Sequence, residues 1–457
     1  MLVSTVTVAR LLRKPTGVLH AQAAVLAATQ PMMRMAMAMT MSGGVRHQSA
    51  SASAKTECCG GGCHAPKQPN ADIAAAAAAS GHASSINAQP PTAPKKKTTN
   101  EAFNELTETA RRDIRIRHDW TRAEIQEIFD TPLLDLMYRA ATVHRTHHDP
   151  RQVQQCTLLS IKTGGCSEDC AYCPQSSKYT TNVKAERLMQ LQSVVDAARK
   201  AKEAGSTRFC MGAAWRDVIH RKSNFAHVLE MVSEVRSMGL EVCATLGMLS
   251  PEQAVQLKNA GLTAYNHNLD TSREFYPKII TTRTYDERLN TIANARDAGL
   301  SVCSGGIIGL GEDLNDRVGL LHTLSTLPTH PESVPVNALV PVPGTPLGDR
   351  EKVKIWEMVR MIATARILMP GSMVRLSAGR VNFTPIEQAL CFFAGANSIF
   401  TGDKLLTTAN NAFNDDQTLF NLLGLVGKEP NFDQGPVRAT ESAEVESDAS
   451  SAEPVRA

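Results

Sequence analysis

The 457-residue chain is 42% hydrophobic and 20% charged, with a formal net charge of +3. That balance gives no argument for a nucleic-acid partner or a charged membrane surface, and no apolar run reaches the roughly 18 residues of a membrane-spanning helix, so a soluble protein is expected. At this length the chain can bury a large core or hold more than one domain.

Residues 1–56 contain no Asp or Glu, whereas Arg10, Arg13, Lys14, Arg34, Arg46 and Lys55 are basic among many Ser, Thr, Ala and Met. This is the composition of a mitochondrial transit peptide. A secretory signal is the rival, because "GVLHAQAAVLAAT" is only weakly interrupted, and composition alone does not decide between them. Residues 57–100 read as a low-complexity linker, with "AAAAAAS" and "QPPTAPKKK" and too little apolar surface to offset its ordering entropy. The linker carries Cys58, Cys59, Cys63 and His64. Thiolates and imidazole suit a soft metal, but the surrounding composition favours a flexible thiol-bearing segment.

Residues 101–428 form the expected folded domain, followed by an acidic, Ser-rich tail at 429–457 that reads as disordered. An amphipathic start is followed by strand-like runs: "VQQCTLLSI", "TRFCMGA", "LEVCATLG", "LTAYNHNLD", "LSVCSGGIIG", "VPVNALV", "MVRLSAG" and "NSIFTG". Between several of them a helical segment ends in Gly, at Gly205, Gly239, Gly261 and Gly299, and the next strand begins at once. Eight strands alternating with helices imply parallel βα units closed as an α/β (β/α)8 TIM-type barrel. A doubly wound open sheet is disfavoured, since no Gly-rich dinucleotide signature follows the first strand.

In such barrels the active groups come from the C-terminal ends of strands and the loops after them. Cys166, Cys170 and Cys173 lie in the loop after the first strand. Three cysteines in a polar loop are not a packing pattern, and a zinc site would need a fourth ligand from elsewhere. A [4Fe–4S] cluster held by three thiolates explains the odd number, because one iron keeps an open position. Cys210, Cys243 and Cys303 fall one each on the second, third and fifth strands, and Arg375 on the seventh. Cys156 and Cys391 read as core residues. Period-two alternation puts Asn266, Asn268 and Asp270 on one face of the fourth strand and leaves His267 on the other as a structural histidine.

The stretch Cys166, Cys170, Tyr172, Cys173 resembles the signature of the radical S-adenosylmethionine (SAM) enzymes, C-x3-C-x-aromatic-C. Across residues 115–426 the further stretches "FCMGAAW", "YNHNLDTS", "TTRTYDERL", "VCSGGIIGLGE", "SVPVNALVPVPGTPL", "VRLSAGR" and "AGANSIFTGDKLLTT" resemble the biotin synthase family. The resemblance implies sulphur insertion into dethiobiotin, with SAM on the open iron and a [2Fe–2S] cluster as sulphur donor. It implies that Cys210, Cys243, Cys303 and Arg375 hold that second cluster. It further implies that Tyr172, Ala213 and Ile307 support SAM and that Asp270 binds its ribose. Asn268 is implied to bridge SAM and substrate, Asn266 and Asn337 to contact the substrate, and Thr407 and Thr408 to take its carboxylate. The implied partners are a ferredoxin- or flavodoxin-type electron donor, the iron–sulphur assembly machinery and a second copy in a homodimer. Open-site cluster thiolates demand a reducing compartment, which turns the acid-free leader toward the mitochondrial matrix.

Overall fold

A computed structural model describes residues 108–219 and 221–432. The leader, the Cys58–His64 cluster and most of the tail lie outside them.

The strands are β1 (Gln152–Lys162), β2 (Arg208–Ala213), β3 (Glu241–Thr245), β4 (Ala264–Asn266), β5 (Ser301–Cys303), β6 (Gly306–Ile308), β7 (Ser333–Ala338), β8 (Met373–Leu376), β9 (Ser398–Thr401) and β10 (Val426–Gly427). All pair in parallel, and β1 pairs with both β2 and β9, so the sheet closes on itself. With β5 and β6 sharing one position beside β7, the closed barrel has the eight positions expected from sequence, and β10 adds to the flank of β1. The connecting helices start where side chains cap them: Ser250 with Gln253, Thr284 with Glu287 and Thr384 with Glu387 form capping boxes. The four junction glycines follow helix ends with positive φ. Among the described residues no helix is long and apolar enough to cross a membrane.

Two expected strands come out differently. β4 ends at Asn266, and Asp270 turns at φ 69, the one non-glycine residue with positive φ among the described residues. The expected strand 300–309 is split at Ser304 and Gly305. On that side β7 pairs with β5 at Ser333 and with β6 from Val336, and Pro335 between them has no N–H to donate.

Inside the barrel, side chains stack in layers. At the N-terminal end of the strands Arg208 and Glu241 form a buried ion pair at 2.5 Å, with Gln154 donating to Glu241 at 3.3 Å. The level above holds cysteines, and above that the interior opens.

Candidate active site

The loop after β1 is held by short-range bonds. The Cys166 N–H donates to the Gln175 carbonyl (2.9 Å), and the Ser177 N–H to the Cys166 carbonyl (2.7 Å). Asp169 accepts from the Thr281 and Thr282 backbone N–H groups at 2.9 and 3.2 Å, tying the loop to the segment after β4. All eight cysteines among the described residues are free thiols. Burial pushes the thiols of Cys166 and Cys170 up, and that of Cys173 up to about 11, so iron must displace their protons to bind. Among the described residues no three His, Cys, Asp or Glu side chains converge on a single-ion position. Three unpaired thiols spread along one loop fit a cluster, whose cage distributes its ligands over several irons.

The barrel interior carries the strand cysteines and the arginine expected from sequence. Cys210 and Cys243 are register partners across β2 and β3, and Cys303 pairs with Asn266 across β4 and β5. Arg375 is fully buried: its Nε donates to Ser398 (2.9 Å), its Nη1 to Cys303 Sγ (3.6 Å), and its Nη2 to Gln154 (3.2 Å) and to Cys156 Sγ (3.3 Å). The structure thus brings Arg375 to Cys303 as expected.

Cys156 is buried, as expected of a core residue, but it packs against Cys210, Cys243 and Ala264 in a small cluster separate from the main core. Burial alone raises a thiol, but contact with Cys210 and the guanidinium groups of Arg375 and Arg208 brings Cys156 below the usual thiol range. Cys391 is buried in the main core, as expected.

The segment after β4 converges on the mouth. The Asp270 carboxylate accepts from the Tyr172 hydroxyl (2.8 Å) and pairs with Arg288 (2.6 Å). Its backbone is clamped as well: its N–H donates to Gly305 and its carbonyl accepts from Ile307 at 2.8 Å. Asn268 accepts from the Gly305 N–H (3.2 Å). Asn266 donates to Thr245 (2.9 Å), while its Oδ1 is buried without a partner. Asn337 spends both ends of its amide on backbone, at Gly306 and Ala378.

His267 is a correction. The chain leaves strand geometry before alternation can turn it away, so it lines the same cavity as its neighbours, with Nε2 buried and unpartnered. Burial, with Arg283 and Arg288 nearby, pulls its pKa well below the usual histidine range, which keeps it neutral.

These groups share one cavity of about 320 Å³. Cys170, Tyr172 and Cys173 line one part of it and Cys210, Cys243 and Arg375 another. Ala213, Asn266, Asn268, Asp270, Ile307, Asn337, Thr407 and Thr408 also line it. Cys166 and Cys303 do not; the first sits in the adjoining loop and the second beneath, against Arg375. Leu406 lies over β2, close enough that a Cβ at Gly212 would meet its Cδ2 at 2.5 Å, so the loop bearing Thr407 and Thr408 covers the mouth.

Sequence reasoning gave no role to Arg283 or Arg288, although both sit in the quoted "TTRTYDERL". Arg283 is 8% exposed, lines the cavity, and has Nε and Nη1 without hydrogen-bond partners. Orphaned donors on Arg283, an orphaned acceptor on Asn266 and the unpartnered Nε2 of His267 line one cavity, shaped for a polar ligand bearing both kinds of group.

Residues 160–324 match the Radical SAM superfamily, and residues 335–426 match the Biotin and Thiamin Synthesis associated domain. The chain is 68% identical over 318 residues to "Biotin synthase, mitochondrial" of Arabidopsis thaliana, covering 70% of this chain and 84% of that one. It is 66% identical over 310 residues to "Biotin synthase" of Cytophaga hutchinsonii, covering 68% and 92%. Among solved structures, methylornithine synthase shares the fold at a TM-score of 0.59 and 18% identity, over 71% of this chain and 97% of that one.

Proposed function

The chain belongs to the biotin synthase family of radical SAM enzymes, and from that premise we propose how its own residues carry out the family's reaction. The reaction inserts sulphur between a methyl and a methylene carbon of dethiobiotin, closing the ring of biotin. Neither carbon is acidic or electrophilic, so acid–base or nucleophilic groups have no handle on these C–H bonds. When bound, a [4Fe–4S] cluster with SAM supplies a 5′-deoxyadenosyl radical that abstracts hydrogen, and a [2Fe–2S] cluster supplies the sulphur.

Cys166, Cys170 and Cys173 would hold the first cluster, which would supply the open position for SAM. Cys210, Cys243 and Cys303, with Arg375, would hold the second. Asp270, fixed by Tyr172 and Arg288, takes the ribose hydroxyls. Ala213 and Ile307 bound the SAM site, and the orphaned N–H groups of Arg283 suit a carboxylate. Asn268 bridges SAM and substrate. The free Oδ1 of Asn266 accepts from the ureido ring, and Asn337 shapes that wall while tying β7 to its neighbours. Thr407 and Thr408 meet the substrate carboxylate. Leu158, Trp215, Leu406 and Phe400 line the cavity with apolar surface, which excludes water from a radical.

The observation that carries this reading is that thiols of both donor sets open onto the same cavity. A ferredoxin- or flavodoxin-type donor, cluster assembly factors, a homodimer and the mitochondrial matrix complete the proposal; the acid-free leader and the need for a reducing compartment support the location. The test is dethiobiotin deuterated at the two carbons, incubated anaerobically with reconstituted protein, SAM and a reductant. Deuterium in 5′-deoxyadenosine is expected. SAM cleavage without transferred label overturns the substrate, and no cleavage by fully loaded protein overturns the reaction.

A further inference from the structure

The second donor set holds more ligands than a [2Fe–2S] cluster needs. Two irons sharing two sulphides require four protein ligands, ordinarily four thiolates. Around one level of this barrel stand Cys156 on β1, Cys210 on β2, Cys243 on β3, Cys303 on β5 and Arg375 on β8, five side chains in all. Cys156 is fully buried, packs against Cys210 and Cys243, and lies 3.3 Å from Arg375 Nη2. An arginine is a cation at any working pH and gives up a proton to become a ligand only at a cost, whereas a thiol does so readily.

We propose that Cys156 is a reserve thiolate of the sulphur-donor site, able to take the coordination position assigned to Arg375. The inference rests on the assignment of the second cluster to this level of the barrel. The exchange balances within the site: an Fe–N bond to the guanidine breaks and an Fe–Sγ bond to Cys156 forms. The thiol proton passes to the released guanidine nitrogen across the Sγ···Nη2 contact and restores the guanidinium. No electron moves, and no outside acid or base is needed. Because the reaction consumes a sulphide, a spare thiol beside the weakest ligand gives the iron a partner when the cage is opened.

The test compares the parent with Arg375→Ala, Cys156→Ser and the double variant, each reconstituted anaerobically, reading iron and sulphide per chain and the Mössbauer signals of the two cluster types. Arg375→Ala is expected to keep the second cluster within about twofold of the parent, and Cys156→Ser to keep it through Arg375. The double variant is expected to lose it about tenfold while retaining the first cluster. A double variant that holds the second cluster as well as Arg375→Ala does, or an Arg375→Ala protein that already lacks it, overturns the proposal. If the parent itself shows no second cluster, the underlying assignment fails instead. Should the double variant fail to fold, alkylation of loaded Arg375→Ala protein decides. Cys156 is expected to become reactive together with Cys210 when chelation strips the second cluster, and a reactivity unchanged by stripping overturns the proposal.

Discussion

Replacing Asp270 by Asn tests the SAM site most directly. The backbone tolerates the change, because Asn adopts φ near the 69° of Asp270 as readily as Asp does. Arg288 keeps Tyr276 at 2.7 Å and the Asn268 carbonyl, and an amide oxygen at 270 can still accept from it. The ribose loses more. A carboxylate accepts from both hydroxyls, at about 1.5–3 kcal/mol for each charge-assisted bond. An asparagine offers one neutral acceptor, at about 0.5–1.5 kcal/mol. The difference is about 2.5–4.5 kcal/mol, or a roughly 70- to 2,000-fold weaker SAM Kd. Equilibrium dialysis of labelled SAM against cluster-loaded protein measures it, with iron content and thermal midpoint as controls for folding. A Kd within about threefold of the parent, in a folded and loaded variant, would refute the assignment of Asp270 to the ribose.

Three further outcomes are expected. Cys210→Ala loses biotin formation while its first cluster still cleaves SAM; biotin formed at the parental rate places the sulphur source elsewhere. Gly305→Ala sets a Cβ 2.0 Å from the Pro335 carbonyl, a backbone atom that cannot swing aside, so a loss of about 1–3 kcal/mol and lower second-cluster occupancy follow through Cys303 on β5. An unchanged calorimetric midpoint would show that the strand break absorbs the methyl. Burial holds His144 near a pKa of about 2 and His330 near about 4, so both are neutral in the fold and bind protons once unfolded. Their contribution is therefore intact above pH 6.5 and is lost as pH falls below it, by about 2 kcal/mol each at pH 5. Urea midpoints of the metal-free protein at pH 7.5 and pH 5 measure this, and replacing both residues by Gln is expected to reduce the dependence but not abolish it, because burial also holds His148 and His267 neutral.

Much of this protein is local in sequence. The loop signature is legible because Cys166, Cys170, Tyr172 and Cys173 lie on one short segment whose own backbone bonds fix their spacing. The eight strands are legible because helix-ending glycines punctuate them, and a parallel strand buried on both faces reads as an apolar run whatever it pairs with. Cys210, Cys243, Cys303 and Arg375 could be placed on strands for the same reason. What sequence could not supply is where alternation stops. Asp270 leaves the strand to meet Tyr172 and Arg288, which turns His267 into the cavity. The split between β5 and β6 faces Pro335 on another strand altogether.

Nor could it show what a residue faces across the barrel. Cys156 and Arg375 are separated by 219 residues and touch only because β1 closes onto β9 beside β8. Arg283 is one arginine among many until the fold buries it near Glu168 with Nε and Nη1 making no hydrogen bond. The sequence by itself determined the barrel and the three-cysteine loop after its first strand, because those depend on short-range pattern. Tertiary structure alone decided which charges are buried together, which amides are already spent and which thiol lies against Arg375. Those follow from barrel closure, which brings distant side chains into a space where water cannot satisfy them.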